Sequence, residues 1–254
     1  SADCVSENTA VGRLALSSFT GSNATAVGSY AAVAATDATL LTAVGYNSLG
    51  AVIGGLENTG IGYDAGRSIT TGDYNTALGS QALSVSNVDA LRNTAIGRAS
   101  MSSGACVNDN TAVGYNSLSA FAGSNATAVG SYAADAATSA AYLTAVGKGA
   151  LGACTDSADC TAVGVDALAA LVSGSDHNTG IGRSAGEFIT GDRNTLLGHF
   201  AGIYASTAAD CVAIGKSALG GVTGDRVTGN SNIAVGNYAL DAATSAYSNV
   251  AIGH

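Results

Sequence analysis

The apolar and polar positions along the chain repeat neither with helical spacing nor with simple alternation, but with a period of about 17 residues. A five-residue unit, ideally Asn-Thr-Ala-Val-Gly, recurs from end to end, with its glycines at Gly12, Gly28, Gly45, Gly62, Gly79, Gly97, Gly114, Gly130, Gly147, Gly164, Gly182, Gly198, Gly215, Gly236 and Gly253. Successive glycines lie 16, 17 or 18 residues apart, except for 21 between Gly215 and Gly236. A fixed period of this length is the mark of stacked structural repeats.

Each column of the repeat reads as an environment. The residue before the glycine is always Val, Ile or Leu; the one before that is Ala in 12 of 15 copies, and the next one back is Thr in 12 of 15. Strand alternation places Thr and Val on one face and Ala on the other, and the unbroken Val/Ile/Leu column predicts that its face points inward. The third residue after the glycine is Ala or Ser in all 14 complete copies, and the fourth is usually Leu, as at Leu16, Leu49, Leu83, Leu118, Leu151, Leu168, Leu219 and Leu240. That pattern predicts a glycine corner followed by a second short strand, then a variable loop rich in Ser, Thr, Asn, Asp and Gly. No helical period survives between the glycines. The expected fold is all-β, a parallel β-solenoid of about 15 rungs with a ~17-residue repeat, its rungs stacked at the ~4.8 Å strand spacing, and residues 1–254 form one repetitive segment.

Composition sharpens this picture. Gly accounts for 35 residues, Pro and Trp are absent, Phe numbers 4 and Met 1, which is too little bulk for one large packed core. Only 11% of residues are charged, against about 25% in an ordinary soluble domain. So sparse a charge leaves the small-residue Ala column as a flat face to be covered, and predicts close packing of identical chains. With 9 basic against 18 acidic residues and a net charge of -9, no basic footprint for nucleic acid or an anionic membrane exists. No apolar run is long enough for membrane insertion. The stop at His254, one residue into a new repeat, is what a segment of a longer chain would show.

The runs Asn110 to Leu118 (NTAVGYNSL), Asn23 to Ala32 with its copy Asn125 to Ala134 (NATAVGSYAA), and Asn75 to Leu83 (NTALGSQAL) resemble the shaft repeats of phage tail fibres. They are also similar to the β-roll heads of trimeric autotransporter adhesins, although those heads generally use a shorter period. The resemblance implies a homotrimeric fibre on a virion tail, or an extracellular, cell-surface adhesin head, presenting a surface to a host glycan or outer-membrane receptor. Gly21 to Leu49 matches Gly123 to Leu151 at 22 of 29 positions, so duplication of rungs lengthened the chain. The Thr column raises a third reading, an ice-binding solenoid. Ice binders display Thr on a flat outer face, whereas the expected inward Val face would carry these threonines with it.

Candidate chemistry is sparse, and no catalytic residue, cofactor or metal site is expected. His199 and His254 share a column three rungs apart, too far for one metal; His177 stands elsewhere. The glycines Gly60, Gly62 and Gly66 imitate a dinucleotide loop, but no helix follows and the repeat explains each of them. Cys160 and Cys211 occupy the Asn column three rungs apart and Cys4 and Cys106 another column six rungs apart, beyond disulfide reach; Cys154 and Cys160 flank one loop and could pair. The column after the glycine holds Arg13, Arg98, Lys148, Arg183, Lys216 and Tyr46, Tyr63, Tyr115. Of these, Tyr46, Tyr63, Arg98 and Tyr115 are candidate contacts for a glycan, with salt bridges to neighbouring rungs or subunits as the competing role of the column's long side chains. The long Gly215–Gly236 interval swells one loop, and Asp225, Arg226 and Asn230 in it are the other receptor-contact candidates.

Overall fold

The computed structural model describes residues 7–84, 89–104, 107–172, 174–221, 227–245 and 247–254. The chain forms two compact units, Ser1–Ala126 and Thr127–His254. Among the described residues the first holds seven strands: β1 (Thr9–Val11), β2 (Thr25–Val27), β3 (Thr42–Val44), β4 (Thr59–Ile61), β5 (Thr76–Leu78), β6 (Thr94–Ile96) and β7 (Thr111–Val113). Among its described residues the second holds eight: β8 (Thr127–Val129), β9 (Thr144–Val146), β10 (Thr161–Val163), β11 (Thr179–Ile181), β12 (Thr195–Leu197), β13 (Val212–Ile214), β14 (Ile233–Val235) and β15 (Val250–Ile252). Within each unit consecutive strands pair in parallel and in register, Thr9 beside Thr25 and Val11 beside Val27, so each repeat is one rung of a β-solenoid. No helix occurs among the described residues.

One strand per rung forms, where two were expected. Beyond each glycine the chain runs through successive turns, in which left-handed residues alternate with right-handed ones, as at Asn47 (φ 52) and Leu49 (φ 48). Rung-to-rung bonds continue through these turns: Asn47 N–H donates to Ser29 O at 3.0 Å and Leu49 N–H to Ala65 O at 2.8 Å. The ladder therefore outlasts the strands. The corner itself demands glycine. Gly45 has φ +128, and a Cβ there would lie 2.5 Å from the carbonyl oxygen of Gly62 in the next rung, a clash with backbone that cannot move aside.

The inside and outside of the strand are the reverse of the sequence expectation. The Ala at the centre of each strand points into the rung and is fully buried at Ala26, Ala43, Ala77, Ala95 and Ala112, while Thr and Val point out, Val27 at 37% exposure. The Ala column is thus core, not a face left for a second chain. The reason is room. The lumen already holds the Leu column (Leu49, Leu83, Leu118, Leu151, Leu168), the Ala/Ser column before it, and a further column with Val52, Ile69, Phe121, Leu171 and Ile189, all buried. Opposite Leu49 even a methyl is crowded: at Gly60 a Cβ would come within 2.7 Å of Leu49 Cγ. Where the Leu column turns to glycine at Gly186 and Gly202, Leu196 replaces the strand alanine, and its methyls occupy the space those two glycines leave. Core volume is conserved by swapping large for small across the lumen.

Asparagines four residues before the glycine, in nine of the fifteen copies, form a second internal spine. Asn75 donates from Nδ2 to Ala90 O at 2.7 Å, and its Oδ1 accepts the backbone N–H of Asn93 at 3.0 Å; Asn93 repeats the bond to Asn110 N–H at 3.0 Å. In the second unit Asn178 bonds Gly191 O at 2.9 Å and receives Asn194 N–H at 3.0 Å. These side chains are buried and satisfied, as buried amides must be.

Candidate functional site

The outer face of the strands is an ordered, repeating surface. Each rung presents Thr and, two residues on, Val, Ile or Leu, and the in-register pairing aligns both columns from β1 to β7 in the first unit. None of the strand threonines, Thr9 through Thr195, hydrogen bonds to another protein group through its hydroxyl among the described residues. In the second unit Thr continues from β8 to β12, and then Val212, Ile233 and Val250 take its place, so the outer face of β13 to β15 is wholly apolar. Neither column carries a charge.

The edge beyond the glycine carries the aromatic and basic side chains, which bond rung to rung. Arg13 lies over the Tyr30 ring at 5.2 Å, Tyr30 meets Tyr46 edge-on at 5.8 Å, and Tyr46 stacks on Tyr63 at 5.5 Å, giving a ladder across four rungs. Arg98 lies 5.5 Å over Tyr115 and donates to its hydroxyl at 3.3 Å. Arg183 over Phe200 and Lys216 over Tyr238 repeat the device in the second unit. Bonding to neighbouring rungs, expected as salt bridges, is here cation–π and ring stacking. Tyr46 and Tyr63 are each still about half exposed to solvent.

The salt bridges lie in another column. Arg92 grips Asp109 at 2.6 and 2.9 Å, and Arg193 grips Asp210 at 2.6 and 3.0 Å, both exposed and one rung apart. The hydrogen bonds from the guanidinium hold both carboxylates below the usual range.

Of the long-loop candidates, Asp225 and Arg226 lie outside the described residues. Asn230 is tied to the preceding rung, its Oδ1 accepting Ala209 N–H at 3.0 Å. His177 sits 3.7 Å from Asp159, and His199 stacks on Phe200; no cluster of three metal-ligating side chains exists among the described residues. Cys154 and Cys160 are buried free thiols. Cys160 donates to Ala158 O at 3.3 Å and Ser175 O at 3.5 Å, and burial pushes its thiol up to about 12. Cys4 and Cys106 lie outside the described residues. A polar recess of about 280 Å³ lined by Asp64, Arg67, Gln81, Ser84, Ser102 and Ser103 opens beside the first unit's turns.

The Asn spine and the outward Thr/Val face were both missed by sequence reasoning. The Asn column was visible, but its role needed the carbonyl of the next rung. Comparison with protein families, with curated proteins and with solved structures finds no match to this chain.

Proposed function

We propose that this chain is a non-enzymatic structural and adhesive fibre segment, of the kind found in phage tail fibres, working as a homotrimer on a virion or cell surface. The observation that carries the reading is the rung itself. Strand, glycine corner, Leu column and Asn spine are spent on holding the next copy, and the near-identical stretches Gly21–Leu49 and Gly123–Leu151 let length change without redesign. An autotransporter-type adhesin head is the alternative on the same grounds.

The surface for a second copy is the apolar outer face of β13 to β15, where Ile214 and Ile233 stand 37% and 39% exposed with no hydroxyl beside them. It replaces the Ala column, which is buried inside each rung. The receptor would be a glycan met at the ring faces of Tyr46 and Tyr63, with Arg98, Tyr115 and the long loop as further contacts.

Sedimentation of the purified chain tests the assembly: a trimer is expected, converted to folded monomer by Ile214→Glu with Ile233→Glu, because both side chains point away from the core. A monomeric parent chain overturns it. Binding to a glycan array, lost in Tyr46→Ala with Tyr63→Ala, tests adhesion; an array left blank by the parent chain removes the glycan.

A further inference from the structure

We infer that the outward Thr/Val face is an ice-binding surface, a function that goes beyond the fibre reading and stands whether or not that reading holds. The fibre reading uses the apolar strands β13 to β15, and leaves the threonine-bearing rungs without a role. In the first unit these form a two-column array of seven rungs, Thr paired beside Thr and Val, Ile or Leu beside Val, Ile or Leu. Parallel strands space the rungs by ~4.8 Å, and two residues along a strand separate the columns by ~6.7 Å. That is a rectangular lattice of hydroxyls and methyl groups, whose rung spacing is close to the oxygen repeat along the a axis of hexagonal ice.

Three features narrow the occupant. The threonine hydroxyls make no hydrogen bond within the protein among the described residues. Covering them with another protein surface lacking matched partners would cost ~1–3 kcal/mol each, whereas ice offers a donor or acceptor at every lattice point. β-Branched side chains, which fill the Thr column and most of the other, are stiff at χ1, so the array is held in place before it meets a partner. No charge falls in either column, and a strongly hydrated ion there would disrupt an ordered water layer.

Thr shares the face of Val, as strand alternation requires, but that face points outward, which is where an ice-binding solenoid displays its threonines.

The test is partition of the purified chain into a slowly growing ice front, together with thermal hysteresis and the shape of single ice crystals. The parent chain should enrich in ice and facet the crystals. Thr42→Tyr with Thr59→Tyr and Thr76→Tyr places three rings in the middle of the array, on outward positions that leave the core untouched, and should cut the ice-bound fraction roughly tenfold or more. Gln81→Tyr, on a different exposed side, should leave it unchanged. Circular dichroism and sedimentation of each variant accompany the assay. No enrichment by the parent chain, or equal enrichment by the triple variant, overturns the assignment. A folded triple variant that loses self-association present in the parent gives the face to a second copy instead, and equally overturns it. The Ile214→Glu and Ile233→Glu pair, which breaks the fibre assembly, should leave ice enrichment in place.

Discussion

At the scale of single residues, the asparagine spine shows how a thin solenoid meets the needs of its buried backbone. Asn75, Asn93, Asn110, Asn178 and Asn194 each donate to a carbonyl of the next rung and accept a backbone N–H from it, and where Cys stands in the same column the thiol makes a weaker copy of the same contacts. Cys211 reaches Gly229 O at 3.6 Å and is met by Asn232 N–H at 3.4 Å. Two outcomes follow from one mechanism. Asn93→Ala should destabilise the first unit by ~2 kcal/mol, since the buried Asn110 N–H loses its acceptor and Val107 O loses one of its two donors. Cys211→Asn should raise stability by restoring full amide bonds. Urea unfolding followed by circular dichroism measures both; a neutral Asn93→Ala would show that water enters the spine.

The strand of three residues is the element that decides what this molecule shows to solvent. Its central alanine and its flanking Thr and Val differ in sequence by a few atoms and in environment completely: Ala26 is fully buried and Val27 is 37% exposed. Paired substitutions expose the difference. Ala26→Glu should unfold the rung, because a carboxylate inside the lumen has no counter-charge and no space. Val27→Glu should leave the fold intact with little loss in melting temperature. Thermal melts of the two variants that came out equal, or in reverse order, would place Val inside and return the Ala face to the surface.

Over the whole molecule the stabilising contacts run from one rung to the next, which makes stability close to a sum of rung and interface terms. A whole period is therefore removable where a part of one is not. Deleting the 17 residues 94–110 joins Asn93 to Thr111 and sets β5 against β7, with Ala112 in the place of Ala95 and every column preserved. The shortened chain should fold and melt cooperatively with an unchanged circular dichroism shape. Deleting eight residues from the same rung should abolish that, since it moves every later column off its register.

Sequence by itself determined the architecture: the period, the parallel stacking, the number of rungs and the glycine at each corner are all legible in spacing alone, because identical repeats can satisfy their backbones only by lying on one another. It also marked the columns, but not which way they faced. An invariant Val column proved to be a repeated surface rather than a core, and the difference lies in lumen volume, which no single strand reveals. Leu49 and Leu168 fill the space from across the rung, so Gly60 and Gly180 stand opposite them, a leucine is held at a strand centre only at Leu196 where Gly186 and Gly202 leave room, and Thr and Val are turned outward. The same holds for the stripe beyond the glycine, whose Arg–Tyr partners lie one rung away. Periodicity is a property of the chain; inside and outside are set by how much volume the closed rung encloses, and only the tertiary structure fixes that.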